Sequence, residues 1–346
     1  MKYSCWPIVA LLSLTCTTAQ KSPSEDSQAA IDSGSEESQK PIRVAFIADT
    51  HVIGPQYVCC SESDGIDNSS IMKTPDRLAE TVNTINAIVP AVAHVFVLGD
   101  VVHDAHHGTD MEWYTREENA FSRAANLLAG LNMPVHILWG NHDYEVDCNE
   151  GPSHHSRAFT HSLFEHFFSA KPYTSVDAGG WRFLLLNSQL GPTWDSSSEQ
   201  CATNLGSYGT EQLAWLESQL DDGMPSLVMS HHHMIASTAQ NENSGPNPDL
   251  STVLGRHENI AAHLAGHFHR WVDLDPNPVH PVRHIILGAT RYDTDNFWIV
   301  EFDPSGTFEI LDYEKPRWST TCADTWDYDN EPSPVVDAIE TGDCGS

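Results

Sequence analysis

The chain has 346 residues, of which 40% are hydrophobic, and its 48 acidic and 17 basic residues give a formal net charge of -31. This hydrophobic content supports a large folded core and excludes a chain that is disordered throughout. The negative charge repels phosphate backbones and therefore excludes avid, non-specific binding of nucleic acid.

The first 19 residues have the pattern of an export signal. Lys2 precedes an apolar run over residues 6–14, which is too short to be a permanent transmembrane span. Cleavage before Gln20 predicts a secreted or periplasmic protein, whereas lipid attachment at Cys16 would anchor the protein at the cell surface. Residues 20–40 are rich in Ser, Glu and Gln and predict a disordered linker.

Residues 41–314 are predicted to form one α/β domain, because apolar strand-like segments alternate with helical ones. Five of the predicted strands cover residues 42–48, 94–98, 135–139, 226–229 and 263–265. Helices are predicted over residues 74–89, 112–131, 157–168 and 210–220, and further strands over residues 181–186, 283–287, 297–302 and 307–313.

Six cysteines follow the predicted signal: Cys59, Cys60, Cys148, Cys201, Cys322 and Cys344. An even number of cysteines in an exported chain predicts disulfides, although their spacing leaves the pairing open. Residues 315–346 are rich in Pro, Asp and Thr and predict an irregular tail. A disulfide is expected to staple this tail, and Cys322 with Cys344 is one candidate pair.

Each of the five apolar strands is followed directly by side chains that can bind a metal ion. These clusters are Asp49-Thr50-His51, Gly99-Asp100, Gly140-Asn141-His142-Asp143, Ser230-His231-His232-His233 and Gly266-His267-Phe268-His269. Unpaired Asp and His side chains stacked at one sheet edge would be costly unless cations neutralised them. Sites in α/β folds assemble at the carboxyl ends of strands, so the clusters predict one shared metal site.

Carboxylate and imidazole together suit a hydrolytic pair of metal ions, which lie roughly 3.5–4 Å apart and share a bridging ligand. The predicted cofactor is therefore two divalent or trivalent ions, with Mn, Fe or Zn favoured over Ca or Mg. Residues two apart on an extended strand share a face. We therefore expect Asp49 with His51, and His267 with His269, to project to the same side.

The ordered motifs resemble those of the calcineurin-like metallophosphoesterase superfamily. The family pattern runs D-x-H, G-D-x-x-[DH], G-N-H-[DE], a later His and G-H-x-H. Here these motifs are DTH, GDVVH, GNHD, SHHH and GHFH, and with their strands they cover residues 42–269. The resemblance implies a four-layer α/β sandwich, in which two mixed β-sheets are flanked by helices.

The resemblance also implies a role for each motif residue. The implied metal ligands are Asp49, His51 and His269 for the first ion, Asp100 as the bridge, and Asn141, His231 and His267 for the second ion. His232 is the alternative ligand from the triplet, because His233 stands where the family usually has proline. His142 would be the general acid or a charge stabiliser, with Asp143 orienting its ring. His103 and His232 are the candidate substrate contacts.

The implied reaction is hydrolysis of a small-molecule phosphate ester by in-line attack of a metal-bridging hydroxide, without a phospho-enzyme. Few basic residues could neutralise a phosphate dianion, and Arg157, Arg270 and Arg291 are the nearest candidates. This favours phosphodiesters over monoesters. The alternatives are a monoesterase or protein phosphatase-like activity, and a non-catalytic metal-binding surface module. The sequence carries no signal for an oligomeric state.

Overall fold

The computed structural model describes residues 40–59, 70–146, 148–149, 157–203, 205–234, 248–278 and 280–313. These residues belong to one unit that spans residues 39–346. The predicted export signal, the linker up to residue 39 and the tail over residues 315–346 lie outside the described residues. None of the described helices is both long and apolar enough to cross a membrane.

Strands and helices alternate along the described part of the chain. The strands are β1 (Ile42–Ile47), β2 (His94–Leu98), β3 (Val135–Leu138), β4 (Thr174–Ala178), β5 (Trp181–Leu185), β6 (Ser226–Ser230), β7 (Ile260–Ala265), β8 (Val272–Leu274), β9 (His284–Ile286), β10 (Phe297–Asp303) and β11 (Thr307–Ile310). The helices are α1 (Thr74–Asn86), α2 (Met111–Arg116), α3 (Ala120–Leu128), α4 (Arg157–Phe168), α5 (Thr210–Leu220) and α6 (Pro248–Leu254), with short 3-10 turns at Asn141–Asp143 and Pro192–Trp194.

The strands form two mixed sheets. The first has the order β11-β10-β1-β2-β3, in which β1, β2 and β3 are parallel and β10 and β11 are antiparallel to their neighbours. The second has the order β4-β5-β6-β7-β9-β8, in which the four central strands are parallel and the two edge strands are antiparallel. In both sheets the parallel strands carry the motif loops at their carboxyl ends.

The two sheets pack face to face, and helices cover both outer faces. Phe96 of the first sheet stacks on Phe183 of the second with ring centroids 4.9 Å apart, inside one continuous apolar core. Ile47 lies on the face of β1 that points away from the second sheet. It belongs to a second apolar cluster, together with residues of α1, α3 and α4. Leu216 of α5 belongs to a third cluster, together with residues of α6. This confirms the predicted four-layer sandwich.

The predicted helix over residues 112–131 is in fact two helices. The Asn119 side chain accepts a hydrogen bond from Ser122 N at 3.0 Å, and Ser122 Oγ accepts one from Asn119 N at 2.9 Å. This reciprocal pair is a capping box, which starts a new helix. Helix α6 and strands β4 and β8 were not predicted from the sequence. β8 has three residues and β4 is mostly half-buried, so neither shows a clear apolar pattern.

A disulfide joins Cys148 and Cys201, whose Cα atoms lie 5.5 Å apart. It ties the segment after the GNHD motif to the segment after Trp194. The predicted pairing of Cys322 with Cys344 lies outside the described residues.

Candidate metal centre

The motif loops meet at the carboxyl ends of the parallel strands of both sheets. In the first sheet, Asp49 N after β1 donates to Gly99 O after β2 at 3.1 Å. In the second sheet, Gly266 N after β7 donates to His231 O after β6 at 3.1 Å. Across the sheets, His267 N donates to Asp49 Oδ1 at 3.1 Å, so the site is held together by contacts among loops that are far apart in sequence.

Five of the predicted ligands have a left-handed backbone. Their φ angles are 53° at Asp49, 46° at His51, 48° at Asp100, 68° at His267 and 54° at His269. Such residues cost about 1–3 kcal/mol each and cluster at functional sites. The expectation that strand alternation would align each Asp/His or His/His pair is wrong, because β1 ends at Ile47 and β7 at Ala265. Tight left-handed turns bring these side chains together instead.

Two motif glycines allow the loops to approach each other closely. Gly99 has a φ of +84°, and a Cβ atom there would lie 2.5 Å from His231 Nδ1. A Cβ atom on Gly140 would overlap the backbone nitrogen and carboxylate of Asp100. A side chain at either position would force the ligand loops apart.

The first ligand cluster contains Asp49, His51, Asp100 and His269. His51 Nε2 lies 3.3 Å from His269 Nε2 and 3.5 Å from Asp100 Oδ2. His269 Nε2 lies 3.4 Å from Asp49 Oδ1. One potential ligand atom from each of the four residues lies within 4.8 Å of the others, as a single metal site requires.

The second cluster contains Asp100, Asn141, His231 and His267. Asn141 Oδ1 lies 2.9 Å from His231 Nε2 and 2.8 Å from His267 Nδ1. His231 Nε2 lies 3.3 Å from Asp100 Oδ2. Because Asp100 belongs to both clusters, its carboxylate is placed to bridge two ions.

The chemistry of these donors fits a pair of metal ions. Ligand atoms that share one ion at 2.0–2.2 Å lie roughly 3.0–3.4 Å from each other, close to the separations in both clusters. His231 Nδ1 can donate to Leu98 O at 2.8 Å, which leaves the Nε2 lone pair directed at the cluster. Burial favours the neutral His231 ring, but the carboxylates of Asp100 and Asp49 outweigh it and raise the pKa of His231 to about 9. The site thus attracts positive charge.

His232 lies beside the second cluster. Its ring centroid is 4.5 Å from that of His267, and its Nδ1 atom faces Ser188 Oγ at 2.8 Å. Of the two candidates from the triplet, His231 therefore has the geometry of a ligand. Only 1% of the His232 surface is exposed. This burial argues against the predicted substrate contact at His232.

His142 and His103 lie on the His51 side of the clusters. The His103 ring stacks on His142 with centroids 4.6 Å apart, and His103 Nδ1 lies 3.1 Å from His51 Nδ1. Burial, followed by repulsion from His142, lowers the pKa of His103 to about 4. Burial also lowers the pKa of His142. His103 thus supports both the His142 ring and a candidate ligand, a position that the sequence did not reveal.

Asp143 braces two motif loops. One carboxylate oxygen accepts a hydrogen bond from Val102 N at 3.0 Å and the other accepts one from Gly140 N at 2.8 Å. These contacts do not support the predicted role of Asp143 in orienting the His142 ring. They hold the GNHD loop against the GDVVH loop, so Asp143 supports the site through the backbone.

The three candidate arginines lie in different surroundings. Arg291 donates to Ser70 Oγ at 3.0 and 3.1 Å, and its charge is one of the causes, after burial, that lower the pKa of His51. Arg270 packs over the Phe268 ring at 4.4 Å. Arg157 lines a cleft of about 700 Å³ that none of the predicted ligands lines. Arg291 is therefore the arginine best placed to act on the centre.

Tyr292 is a neighbour of the site that sequence reasoning missed. Its hydroxyl lies 3.5 Å from His269 Nδ1, and its ring centroid is 5.6 Å from that of His269. It directly follows Arg291 in the chain but belongs to none of the five motifs, so the motif pattern could not identify it.

The four-layer α/β sandwich and the two Asp/His clusters at the carboxyl ends of its strands agree with the family that the sequence motifs resemble. Residues 42–271 match the family model described as calcineurin-like phosphoesterase. The chain therefore belongs to this family.

Individual relatives have low sequence identity to this chain. A Rhodopseudomonas palustris protein named "probable cyclic nucleotide phosphodiesterase" is 28% identical over 162 residues, which are 45% of this chain and 48% of that protein. The chain thus matches about half the length of this relative. A solved dimetal phosphatase from Danio rerio has a TM-score of 0.51 at 18% identity, covering 75% of this chain and 92% of that chain. A purple acid phosphatase from yellow lupin has a TM-score of 0.44 at 13% identity, covering 79% and 53%.

Proposed function

We propose that this protein hydrolyses phosphodiesters at a centre of two metal ions. The observation that carries the proposal is the position of Asp100 Oδ2, which lies 3.5 Å from His51 Nε2 and 3.3 Å from His231 Nε2. A carboxylate shared by two ligand clusters suits a bridge between two ions. When bound, such ions stabilise negative charge as Lewis acids and activate the attacking water.

The proposed roles of the side chains follow from their positions. The ligands would be Asp49, His51 and His269 for one ion, Asn141, His231 and His267 for the other, and Asp100 for both. His142 would donate its proton, or a hydrogen bond, to the oxygen that leaves phosphorus. His103 would hold the plane of that ring by stacking. Water supplies the new P–O bond, so no side chain acts as nucleophile.

The preference for diesters is proposed on grounds of charge and similarity. Of the three candidate arginines, Arg157 lines a cleft that none of the predicted ligands lines and Arg270 packs over the Phe268 ring, so little cationic charge besides the metals and Arg291 would meet a monoester dianion. The relative from Rhodopseudomonas palustris is named as a phosphodiesterase, which points in the same direction.

Hydrolysis of bis-p-nitrophenyl phosphate and p-nitrophenyl phosphate by the purified full chain tests this preference. We expect kcat/KM for the diester to exceed that for the monoester by about tenfold or more, a difference of roughly 1.4 kcal/mol in barrier. His107→Ala is a suitable control, because His107 is exposed, packs on Trp113 and belongs to neither ligand cluster. A higher kcat/KM for the monoester would instead identify a monoesterase.

We also propose that the protein is exported. The pattern of residues 1–19 supports this, and so does the disulfide between Cys148 and Cys201, since disulfides persist in oxidising compartments. On expression of the full chain in a bacterial host, the protein outside the cytoplasm should begin at Gln20 or carry a lipid on Cys16. N-terminal sequencing and mass spectrometry would distinguish these forms. Uncleaved chain found only in the cytoplasm would contradict export.

A further inference from the structure

A chain of buried hydrogen bonds holds residues 230–234, the segment that carries His231. Its central members, Ser230, His263 and His284, are fully buried. His263 lies on β7 and His284 on the neighbouring strand β9, and their rings stack with centroids 4.8 Å apart. Neither histidine belongs to a motif or to a ligand cluster.

The partners of these rings fix where each proton lies. Met234 N donates to His284 Nε2 at 3.2 Å, so the proton of a neutral His284 ring lies on Nδ1. His284 Nδ1 then donates to His263 Nδ1 at 2.9 Å, and it also lies 3.1 Å from His263 O. The proton of His263 therefore lies on Nε2, which donates to Ser230 Oγ at 2.8 Å. Each ring has one donor and one acceptor, and both are used.

Ser230 is the last side chain in this series of hydrogen bonds. Its hydroxyl accepts from His263 Nε2 and also from Tyr208 Oη at 2.9 Å, and it donates to His232 O at 2.9 Å. One donated and two accepted hydrogen bonds satisfy a hydroxyl completely. This series of hydrogen bonds thus runs from Met234 N to His232 O, so it holds residues 230–234 at two points.

Both rings stay neutral over the physiological pH range. Burial, followed by repulsion from His284, lowers the pKa of His263 well below 6.5. Burial, followed by repulsion from His280, lowers the pKa of His284 to about 3. The direction of the hydrogen bonds is therefore fixed, and the chain is a rigid support rather than a switch.

We propose that His263 and His284 are positioning residues for the half of the metal centre formed by His231 and His267. His263 precedes His267 on the same stretch of chain, and Gly266 N between them donates to His231 O at 3.1 Å. The strand that supplies one candidate ligand thus also sets the position of the other. This inference rests on the proposed two-metal function.

If the proposal is correct, removing these hydrogen bonds should weaken binding of the two metal ions unequally. Partners that orient the ligands of a metal typically change its affinity by about 10–100-fold when they are mutated. Among the described residues, His263, His284 and Ser230 make no hydrogen bond to Asp49, His51 or His269, which form the other half of the centre. The loop after β7 contacts that half through its backbone, because His267 N donates to Asp49 Oδ1 at 3.1 Å. Breaking these buried hydrogen bonds should therefore weaken binding of one ion and spare the other.

Binding of Mn²⁺ alone to the full chain tests this, with bound ions counted by elemental analysis and their coupling followed by electron paramagnetic resonance. In His263→Leu we expect affinity for the second Mn²⁺ to fall by about 10–100-fold. The signal of coupled ions should give way to that of an isolated ion. His263→Gln keeps an amide donor within reach of Ser230 and should restore part of the second site. His136→Leu is the matched control, because it breaks another histidine pair, His94–His136, at the amino ends of β2 and β3.

Folded His263→Leu that binds two coupled Mn²⁺ ions with wild-type affinity would overturn the proposal, and so would equal weakening of both ions. If His263→Leu does not fold, Ser230→Ala decides, because it removes the hydroxyl that joins His263 Nε2 to His232 O. Wild-type Mn²⁺ binding by Ser230→Ala would then reject the proposal. Because ions are counted without turnover, a wild-type chain that binds two ions but hydrolyses no ester would refute the proposed function alone.

Discussion

Asp100→Ala is expected to abolish binding of the metal pair and to lower kcat/KM for phosphodiesters by about 10³-fold or more. The carboxylate is the one group shared by the two ligand clusters. Without it, the remaining ligands lack a bridge, and stabilisation worth several kcal/mol in the transition state is lost, at about 1.4 kcal/mol per tenfold in rate. Metal content and steady-state kinetics of the same preparation would measure both effects.

Asp100→Asn separates the charge of Asp100 from its structural contact. Asp100 Oδ1 accepts a hydrogen bond from His142 N at 2.8 Å, which an asparagine oxygen can also accept. The Asn variant should therefore keep the GNHD loop in place but still lose the bridge. An Asn variant that bound two ions and turned over like the wild type would rule out Asp100 as the bridging ligand.

His142→Ala is expected to keep both metal ions and to lower kcat by about 10²–10⁴-fold, the range typical of general acid–base catalysis. Its side chain is in neither of the two clusters that Asp100 joins, although it forms a third candidate group with His51 and His103 and its ring centroid lies 4.8 Å from that of His51. If His142 protonates the leaving oxygen, the loss should be larger for a diester that expels phenolate than for one that expels p-nitrophenolate. Kinetics on both esters would measure this difference.

The control for His142→Ala is His107→Ala, which removes an exposed imidazole from the same region of the chain. This control should leave metal content and turnover unchanged. Equal losses on both leaving groups would assign His142 to stabilising the phosphoryl charge. Loss of a metal ion in His142→Ala would contradict its placement outside the ligand set.

The local sequence pattern was sufficient to predict much of the fold. β2 and the helices α4 and α5 were predicted with the bounds that the structure has, because apolar runs or amphipathic spacing end clearly at each one. The ordered motifs also identified the seven side chains that the structure gathers into the two clusters. These features depend on residues that are near each other in sequence.

The geometry of the site depends on contacts that sequence spacing does not contain. Asp49 and His267 have left-handed backbones where loops of different strands meet, since a Cβ atom on Gly266 would lie 2.8 Å from Asp49 Oδ2 and 2.9 Å from Leu98 O. The brace made by Asp143 has the same origin, since it joins backbone nitrogens 38 residues apart in the chain (102 and 140). Strand alternation was therefore the wrong reason for a correct grouping of side chains.

The hydrogen bonds that support residues 230–234 also could not be predicted from the local sequence pattern. His263 and His284 meet only because β7 and β9 are neighbours in the sheet, and β8 intervenes in the chain. In sequence, each is a single histidine inside an apolar strand, where it resembles an ordinary core residue. Pairing of distant strands gives these residues their partners.

The most direct test of the central claim is turnover of bis-p-nitrophenyl phosphate as metal ions are returned to chelated full-length protein. Activity should be absent after chelation and should rise as Mn, Zn or Fe is added, reaching its maximum at two bound ions per chain. Full activity in the metal-free protein, or two bound ions with no hydrolysis of any phosphate ester, would contradict a two-metal phosphoesterase.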